Sequence, residues 1–427
     1  MGTSRPFRAQ GWRIAAIAVL AGVPFAPAGA QEAAPPAGDD EDVSAVGKIG
    51  NLHEKLRADR QRGTLYQRIS GAYADYTQWK AQVEKDTGLA FSMELSFLQQ
   101  WGRPNGGSPA LQIDATPSLD WTVFRSSVWG TGSLQVAYDA VPTYPTRRDA
   151  AAIGSSLGVV TPINDIDHRS LIFAQLSWTQ ATPDNKWLAT IGQYPLWNFD
   201  GNEFLDNQQQ NFNSYILSQN GSSTYRATGW GAYVQWNATP TIQLVGGVQA
   251  TNNLSGQTLT TRNASKDCCT WFGYAQWTPR FAGMGAAQYS VAYFDTPAVP
   301  AQPASRNWSV NAVQHLSSTW ALFGRANGAS GYAGTIRNSY ALGAAMIDPL
   351  SRAPTDQVAL AVGVSDLAGP PATPAGARDE KVIEAYWTWT FFGGLLVTPS
   401  LQVIVDPALD PARRSVSVLA LRATLLF

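Results

Sequence analysis

The densest grouping of residues able to do chemistry lies in the stretch KWLATIGQYPLWNFDGNEFLDNQQQNFNSYILSQN, residues 186–220. Within it Trp197, Asn198, Asp200, Asn202, Glu203 and Asp206 bring together an indole, two amides and three carboxylates. An indole offers an apolar platform, while amides and carboxylates hydrogen-bond hydroxyls, so the set suits a hydroxyl-rich polar solute. Further charged residues join by position. Glu94 lies on the polar face of an alternating segment, LAFSMELSFLQQW, and Asp114 on that of the next, flanked by Ile113 and Ala115. Arg125 and Arg169 stand near segment ends, where they are expected to face these acids across an opening. Both signs at a narrow passage set up a transverse field that orients dipolar solutes and discourages purely ionic ones. These ten residues form the expected constriction and substrate-binding set.

Other chemistries find less support. Nucleophilic catalysis needs a positioned nucleophile and base, yet the chain has only His53, His168 and His315, none within a Ser or Cys motif. No two of them fall at metal-ligand spacing, so catalytic residues, a metal and a cofactor are all absent from the expectation. Cys268 and Cys269 are adjacent and cannot staple separate elements. Nucleic acid is excluded by charge. The first thirty residues carry three of the 30 Lys and Arg, leaving 27 against 31 Asp and Glu, a formal −4. A phosphate-binding surface needs clustered bases.

The elements that must position the ten residues are strands. The chain ends in SVSVLALRATLLF, where Leu419, Leu421, Ala423 and Leu425 take one face and Arg422 and Thr424 the other. A period of two puts one face in an apolar phase and the other in water. Comparable segments begin near Leu89, Leu111, Ser133, Leu171, Trp187, Gly229, Thr241, Trp271, Ala287, Asn307, Thr319, Arg337, Gln357, Val382, Leu395 and Arg414, about sixteen in all. Beyond residue 30 no run of about 18 apolar residues exists, so a membrane crossing requires a closed barrel. Indoles at segment ends, among them Trp121, Trp129, Trp187, Trp236, Trp271, Trp277, Trp308 and Trp320, suit two interfacial girdles. A soluble sandwich or propeller competes, but the faces opposite the apolar ones carry Gln, Ser, Thr, Tyr and Asn, which need water. The fold class is therefore an all-β membrane protein, an antiparallel transmembrane β-barrel of about sixteen strands with a short N-terminal α-helical segment.

Connections are uneven. Residues 237–240, 278–285 and 391–394 are short, whereas 140–169, 195–228, 252–269 and 367–380 are long, and barrels of this kind fold some long loops inward to narrow the lumen. Ahead of the strands, Arg5, Arg8 and Arg13, an apolar run and Ala28-Gly29-Ala30 read as a signal peptide over 1–30. Residues 31–45 read as a flexible leader. Residues 46–87 carry apolar residues at helical steps, notably Ile69, Tyr73, Tyr76, Trp79 and Val83, with Gly63 between two helices and Gly88 as the stop. This segment is expected either to plug the barrel or to sit on its periplasmic side. Residues 88–427 form the barrel domain.

Three stretches carry a family resemblance: the one around Trp187–Asn220, AMIDPLSRAPTDQVALAVGVSD, and EAYWTWTFFGGLLVTPSLQVIVDP with the closing LALRATLLF. From about Gly88 to Phe427 the chain resembles the carbohydrate-selective porin family, the OprB-like outer-membrane porins. The resemblance implies passive diffusion of carbohydrates and other small polar solutes through a lumen narrowed by inward loops. It implies as partners small polar solutes, outer-membrane lipid, and the barrel-assembly machinery through the strand ending at Phe427. A homo-oligomer is compatible with the sequence. The alternatives are a channel for export of a polysaccharide or polymer, which residues 46–87 would serve as a periplasmic docking face, and a barrel enzyme.

Overall fold

A computed structural model describes residues 67–427, apart from 144, 147, 166–169, 226–227, 252–267, 300–301, 333, 393 and 411. The expected signal peptide, the leader, the first part of the 46–87 segment, His53, His168 and Arg169 lie outside the described residues. The sixteen strands are β1 (Leu89–Arg103), β2 (Ala110–Ser126), β3 (Gly130–Thr143), β4 (Ser170–Ala181), β5 (Trp187–Pro195), β6 (Thr228–Thr239), β7 (Ile242–Gln249) and β8 (Thr270–Trp277). They continue as β9 (Ala287–Thr296), β10 (Ser305–His315), β11 (Trp320–Gly331), β12 (Ile336–Ile347), β13 (Gln357–Leu367), β14 (Glu380–Phe392), β15 (Leu395–Val405) and β16 (Ser415–Leu426). Each pairs antiparallel with its sequence neighbours, and β16 pairs with β1, from Glu94 opposite Leu426 to Arg103 opposite Ser417, which closes the barrel. Closure leaves no unpaired edge, the condition for strands to stand in hydrocarbon.

Alternation places each side chain. Leu419 and Leu421 are exposed on the outer face, whereas Val418, Ala420, Arg422 and Thr424 are buried inside. The outer face carries a run of exposed apolar side chains from every part of the wall, including Ile191, Val234, Val291, Leu322, Leu342, Leu360 and Ile383. Indoles gather at the ends of this band: Trp129, Trp187, Trp236, Trp277 and Trp320 lie near the short turns, and Trp271 and Trp308 near the other end. Trp187 and Trp236 stack at 5.6 Å between centroids.

Connections of opposite length sit at opposite ends. Residues 127–129, 182–186, 240–241 and 316–319 and Gly394 turn at one end, the end that also holds Phe427. The strand ends from which the long connections β3–β4, β5–β6 and β7–β8 leave all belong to the other. The second of these connections returns into the barrel, as described below.

Helix α1 (Gln67–Thr87) precedes β1 and stops at Gly88, whose φ of +72° lies in the left-handed region that favours glycine. It rests outside the lumen. Tyr73 packs edge-on to Phe392 at 5.9 Å and Trp79 to Phe91 at 5.8 Å, while Lys80 lies over the Phe91 ring. Phe91 pairs with Leu119 on the outward parity of β1, so the described part of the helix lies against the outer rim at the short-turn end. A second helix, α2 (Ala150–Leu157), lies inside the 144–169 connection, which the sequence reading treats as a plain loop. Its signals are local: Asp149 caps the N-terminus by accepting from Ala152 N at 2.8 Å, and Gly158 ends it at φ +75°. Ile153 and Leu157 are fully buried. Cys268 and Cys269 are joined as a vicinal disulfide beside β8.

Candidate functional site

The connection from β5 to β6 crosses the inside of the barrel and is fastened in three stages. It begins with a 3-10 turn, Leu196–Phe199, whose Leu196 and Phe199 pack with Tyr194, Tyr233, Phe272, Tyr274 and Phe294 on β5, β6, β8 and β9. It then presses Phe204, Leu205, Phe212, Ile216 and Leu217 against the β11–β14 wall, all at 1% exposure or less. Burying each of these contributes roughly 1.5–3 kcal/mol. Small inward residues make the room: Ala321, Ala341, Ala345, Ala359 and Ala361, and above all Gly363. A Cβ on Gly363 would come within 2.6 Å of Ile216, which sits in the one-turn helix α3 (Tyr215–Ser218).

Between its apolar anchors the loop carries the polar run Asn207–Asn211, which spans to β1, β2 and β16. Asn207 donates to Glu94 at 2.8 Å and Gln210 donates to the same carboxylate. Gln208 bonds Gln112 at 3.0 Å, and Gln209 bonds Thr116 at 2.9 Å and Ser96 at 3.3 Å. Buried charges fix the backbone. Arg422 donates to the carbonyls of Gln208 and Asn211 and to Asn213 Oδ1, Arg325 to the carbonyls of Leu205, Ile216 and Gln219, and Glu384 accepts from Asn213 N and Ser214 N at 2.9 Å each. Such charge-assisted bonds are among the stronger ones available.

The connection carrying α2 also enters. Glu380 accepts from Val160 N and Thr161 N at 2.7 Å, and Gln402 and Gln100 donate to Ile163 O. The two loops touch where Tyr215 N donates to Pro162 O at 3.2 Å, Asp165 N to Gln208 Oε1 at 2.8 Å and Gln219 Nε2 to Asp165 Oδ2 at 3.0 Å.

The ten residues singled out in the sequence therefore divide. Asp200, Asn202 and Glu203 are buried and fasten the loop rather than facing a solute. Asp200 Oδ2 accepts from Asn220 at 2.6 Å and from Tyr225 at 2.9 Å, Asn202 donates to Asn311 at 3.1 Å and accepts from Phe204 N and Leu205 N, and Glu203 meets His315 at 2.6 Å. Burial raises the Asp200 carboxyl above its ordinary range, against hydrogen bonds from Ser309, Asn220 and Tyr225 and the nearby charge of Arg325. Trp197, Asn198 and Asp206 are partly exposed. Glu94 and Asp114 do lie together on the inward faces of β1 and β2. Arg125 does not join them. It pairs with Thr131 at the short-turn end of β2, roughly 36 Å along the strand from Asp114 at ~3.3 Å per residue. The expected pairing of acids with Arg125 across one opening is thus replaced by distance, and Arg169 lies outside the described residues.

What the sequence reading missed is a concentration of acid. Asp139 on β3 and Asp165 in the α2 connection lie within electrostatic reach of Asp114, as does Glu94, and Asp165 also feels Asp206. Burial pushes the Asp165 carboxyl up to about 7 despite the hydrogen bond from Gln219, with Asp139 and Asp206 adding repulsion and Arg325 attraction. Asp114 Oδ1 and Asp139 Oδ1 accept no hydrogen bond from the protein. Arg148, Arg325 and Arg422 instead donate to loop carbonyls. Strand parity places Asp139, Glu384 and Arg422 on polar faces, but only the folded loops reveal which of these meet.

Comparison with known proteins decides the family. The profile of the carbohydrate-selective porin, OprB family, matches residues 145–427. The chain belongs to that family. This OprB-family porin is 34% identical to porin AaxA of Chlamydia abortus over 351 residues, covering 80% of this chain and 78% of the relative. It is equally 34% identical to porin AaxA of Chlamydia pneumoniae over 354 residues, covering 80% of each. Its fold is that of Pseudomonas putida OprB in the high-pH structure, with a TM-score of 0.67 and 14% identity over 83% of this chain and 97% of that one. The family and the fold are those of bacterial outer-membrane channels rather than enzymes. The short-turn end with Phe427 is then the periplasmic end, and the long loops are extracellular.

Proposed function

We propose that this porin passes carbohydrates and other small polar solutes by passive diffusion, through a passage whose narrowest part is set by the two inward loops. The observation that carries the reading is the β5–β6 loop, which crosses the barrel and bonds β1, β11, β14 and β16 from within. Loops held so far inside argue against the wide lumen that polymer export needs. Of the expected set we assign Trp197, Asn198 and Asp206, partly exposed on the loop, and Glu94, partly exposed on the wall, to meet a solute, with Asp114 buried beside Glu94.

The electrostatics refine the solute class. Glu94, Asp114, Asp139, Asp165 and Asp206 gather where the loop meets the β1–β3 wall, and the guanidiniums inside are turned to carbonyls. In a narrow, low-dielectric passage such a lining, to the extent that its carboxyls are ionised, penalises anions and leaves neutral and cationic solutes free to enter, with Asp165 contributing its charge only as pH rises past neutrality. Liposome swelling tests this: neutral sugars enter faster than organic acids of equal size. Equal rates for sugars and organic acids would remove the acidic-lining reading, and no swelling with any solute would remove the porin reading.

We also infer that helix α1, Gln67–Thr87, is a periplasmic element and not a plug. Support comes from α1, whose Tyr73 and Trp79 pack on the outward side chains Phe392 and Phe91. The β1–β16 seam, where Phe427 N donates to Met93 O at 2.9 Å, is the surface the barrel-assembly machinery would complete last.

A further inference from the structure

We infer that Glu380 and Glu384 are paired positioning residues, through which the single strand β14 sets the separation of the two inward loops and hence the aperture. The inference rests on the porin reading and adds to it the residues that fix the constriction. Both carboxylates are buried at 1% exposure or less, and they stand four residues apart on the inward face of one strand. A strand rises roughly 3.3 Å per residue, so they are spaced about 13 Å along the wall.

Each takes a pair of adjacent backbone N–H groups. Glu380 accepts from Val160 N through Oε1 and Thr161 N through Oε2, and its Oε1 also takes Ala408 N at 2.9 Å from the β15–β16 loop. Glu384 accepts from Asn213 N through Oε1 and Ser214 N through Oε2. A carboxylate that receives two consecutive amides, one per oxygen, fixes both the distance and the direction of the segment it holds. A glutamine in its place offers one acceptor oxygen and sets an NH2 group against the second amide.

The spacing matters because the held segments adjoin. Residues 160–165 and 208–219 touch through Tyr215 N to Pro162 O, Asp165 N to Gln208 and Gln219 to Asp165. Moving either latch changes how Asp165 and the Asn207–Asn211 run confront Asp114 and Glu94. Neither glutamate needs to touch the solute for this to alter what passes.

The test is single-channel recording of the full chain in planar bilayers, with sugar titrated against the open current. Glu384→Ala is expected to raise conductance about twofold and weaken sugar block about tenfold, with Glu380→Ala smaller and Glu384→Gln intermediate. Ser214→Pro approaches the same contact from the loop: the φ of Ser214 is −54°, which proline adopts, so the change removes one donated N–H and leaves the wall intact. It is expected to move conductance in the same direction as Glu384→Gln and keeps the test available where a glutamate variant fails to fold. Thr388→Val serves as control, since Thr388 lies on the same inward face but bonds Thr398 on the neighbouring strand. Wild-type channels with Glu384→Ala and Ser214→Pro unchanged in conductance and block overturn the positioning role, as does an equal change in Thr388→Val. Absence of any wild-type channel would instead sink the porin reading.

Discussion

Two parts of the wall hold the same loop in different ways. Strands β11, β14 and β16 grip its main chain: Arg325 and Arg422 take carbonyls, Glu384 takes amides, and Thr424 donates to Gln209 O. Strands β1 and β2 meet mainly its side chains, with Glu94, Ser96, Gln112 and Thr116 bonded to Asn207, Gln208, Gln209 and Gln210. A grip on the backbone fixes position whatever the loop's side chains are. A contact through side chains depends on which amides the loop presents. The first region accordingly governs where the loop lies, and the second governs the chemistry displayed beside it.

The contrast breaks most readily on the gripping side. Hydrogen bonds to a charged group contribute about 1.5–3 kcal/mol each. Bonds of one side chain do not add in full, so Arg422→Met, which forfeits those to Gln208, Asn211 and Asn213, is expected to cost roughly 3–5 kcal/mol, the range for removing one partner of a buried charged contact, read as a fall in the unfolding temperature in detergent. Glu94→Gln on the other side, which keeps one acceptor oxygen for Asn207 and Gln210, should lower that temperature less. Its effect belongs to selectivity, with the cation-to-anion permeability ratio from reversal potentials falling about threefold. A smaller change follows pH. The Asp165 carboxyl titrates near 7, so lowering pH from 8 to 6 removes a negative charge, cation preference declines over that interval, and Asp165→Asn flattens the dependence. A pH profile identical in Asp165→Asn and wild type would contradict this. The smallest effect is expected from deleting residues 46–87, which should leave conductance unaltered, whereas a plug would give larger steps once removed.

The wall was far more legible than the site, for a physical reason. A period of two acts locally, so all sixteen strands begin within three residues of the positions expected from alternation, from Leu89 through Ser415. The inward loop announces itself by length and by its mixture of apolar and amide residues, but the destination of each side chain is tertiary. Asp200 and Glu203 resemble solute ligands in sequence and become fasteners only because Tyr225, Asn220 and His315 arrive beside them. Glu384 reads as one more polar residue on an alternating strand until Asn213 and Ser214 approach it from the far side of the barrel. Parity gives the face of a strand but not the height at which two residues stand, and so Arg125 lies far from Asp114. The Asp149 cap and Gly158 stop of α2 were local signals and readable in principle.

Sugar-induced closure of wild-type single channels tests the constriction most directly. Discrete steps whose current falls in a saturable way as a neutral oligosaccharide is added are the expected result, since a solute occupying the passage beside the inward loop displaces ions. Steps of constant height at every sugar concentration would contradict a passage narrowed by that loop.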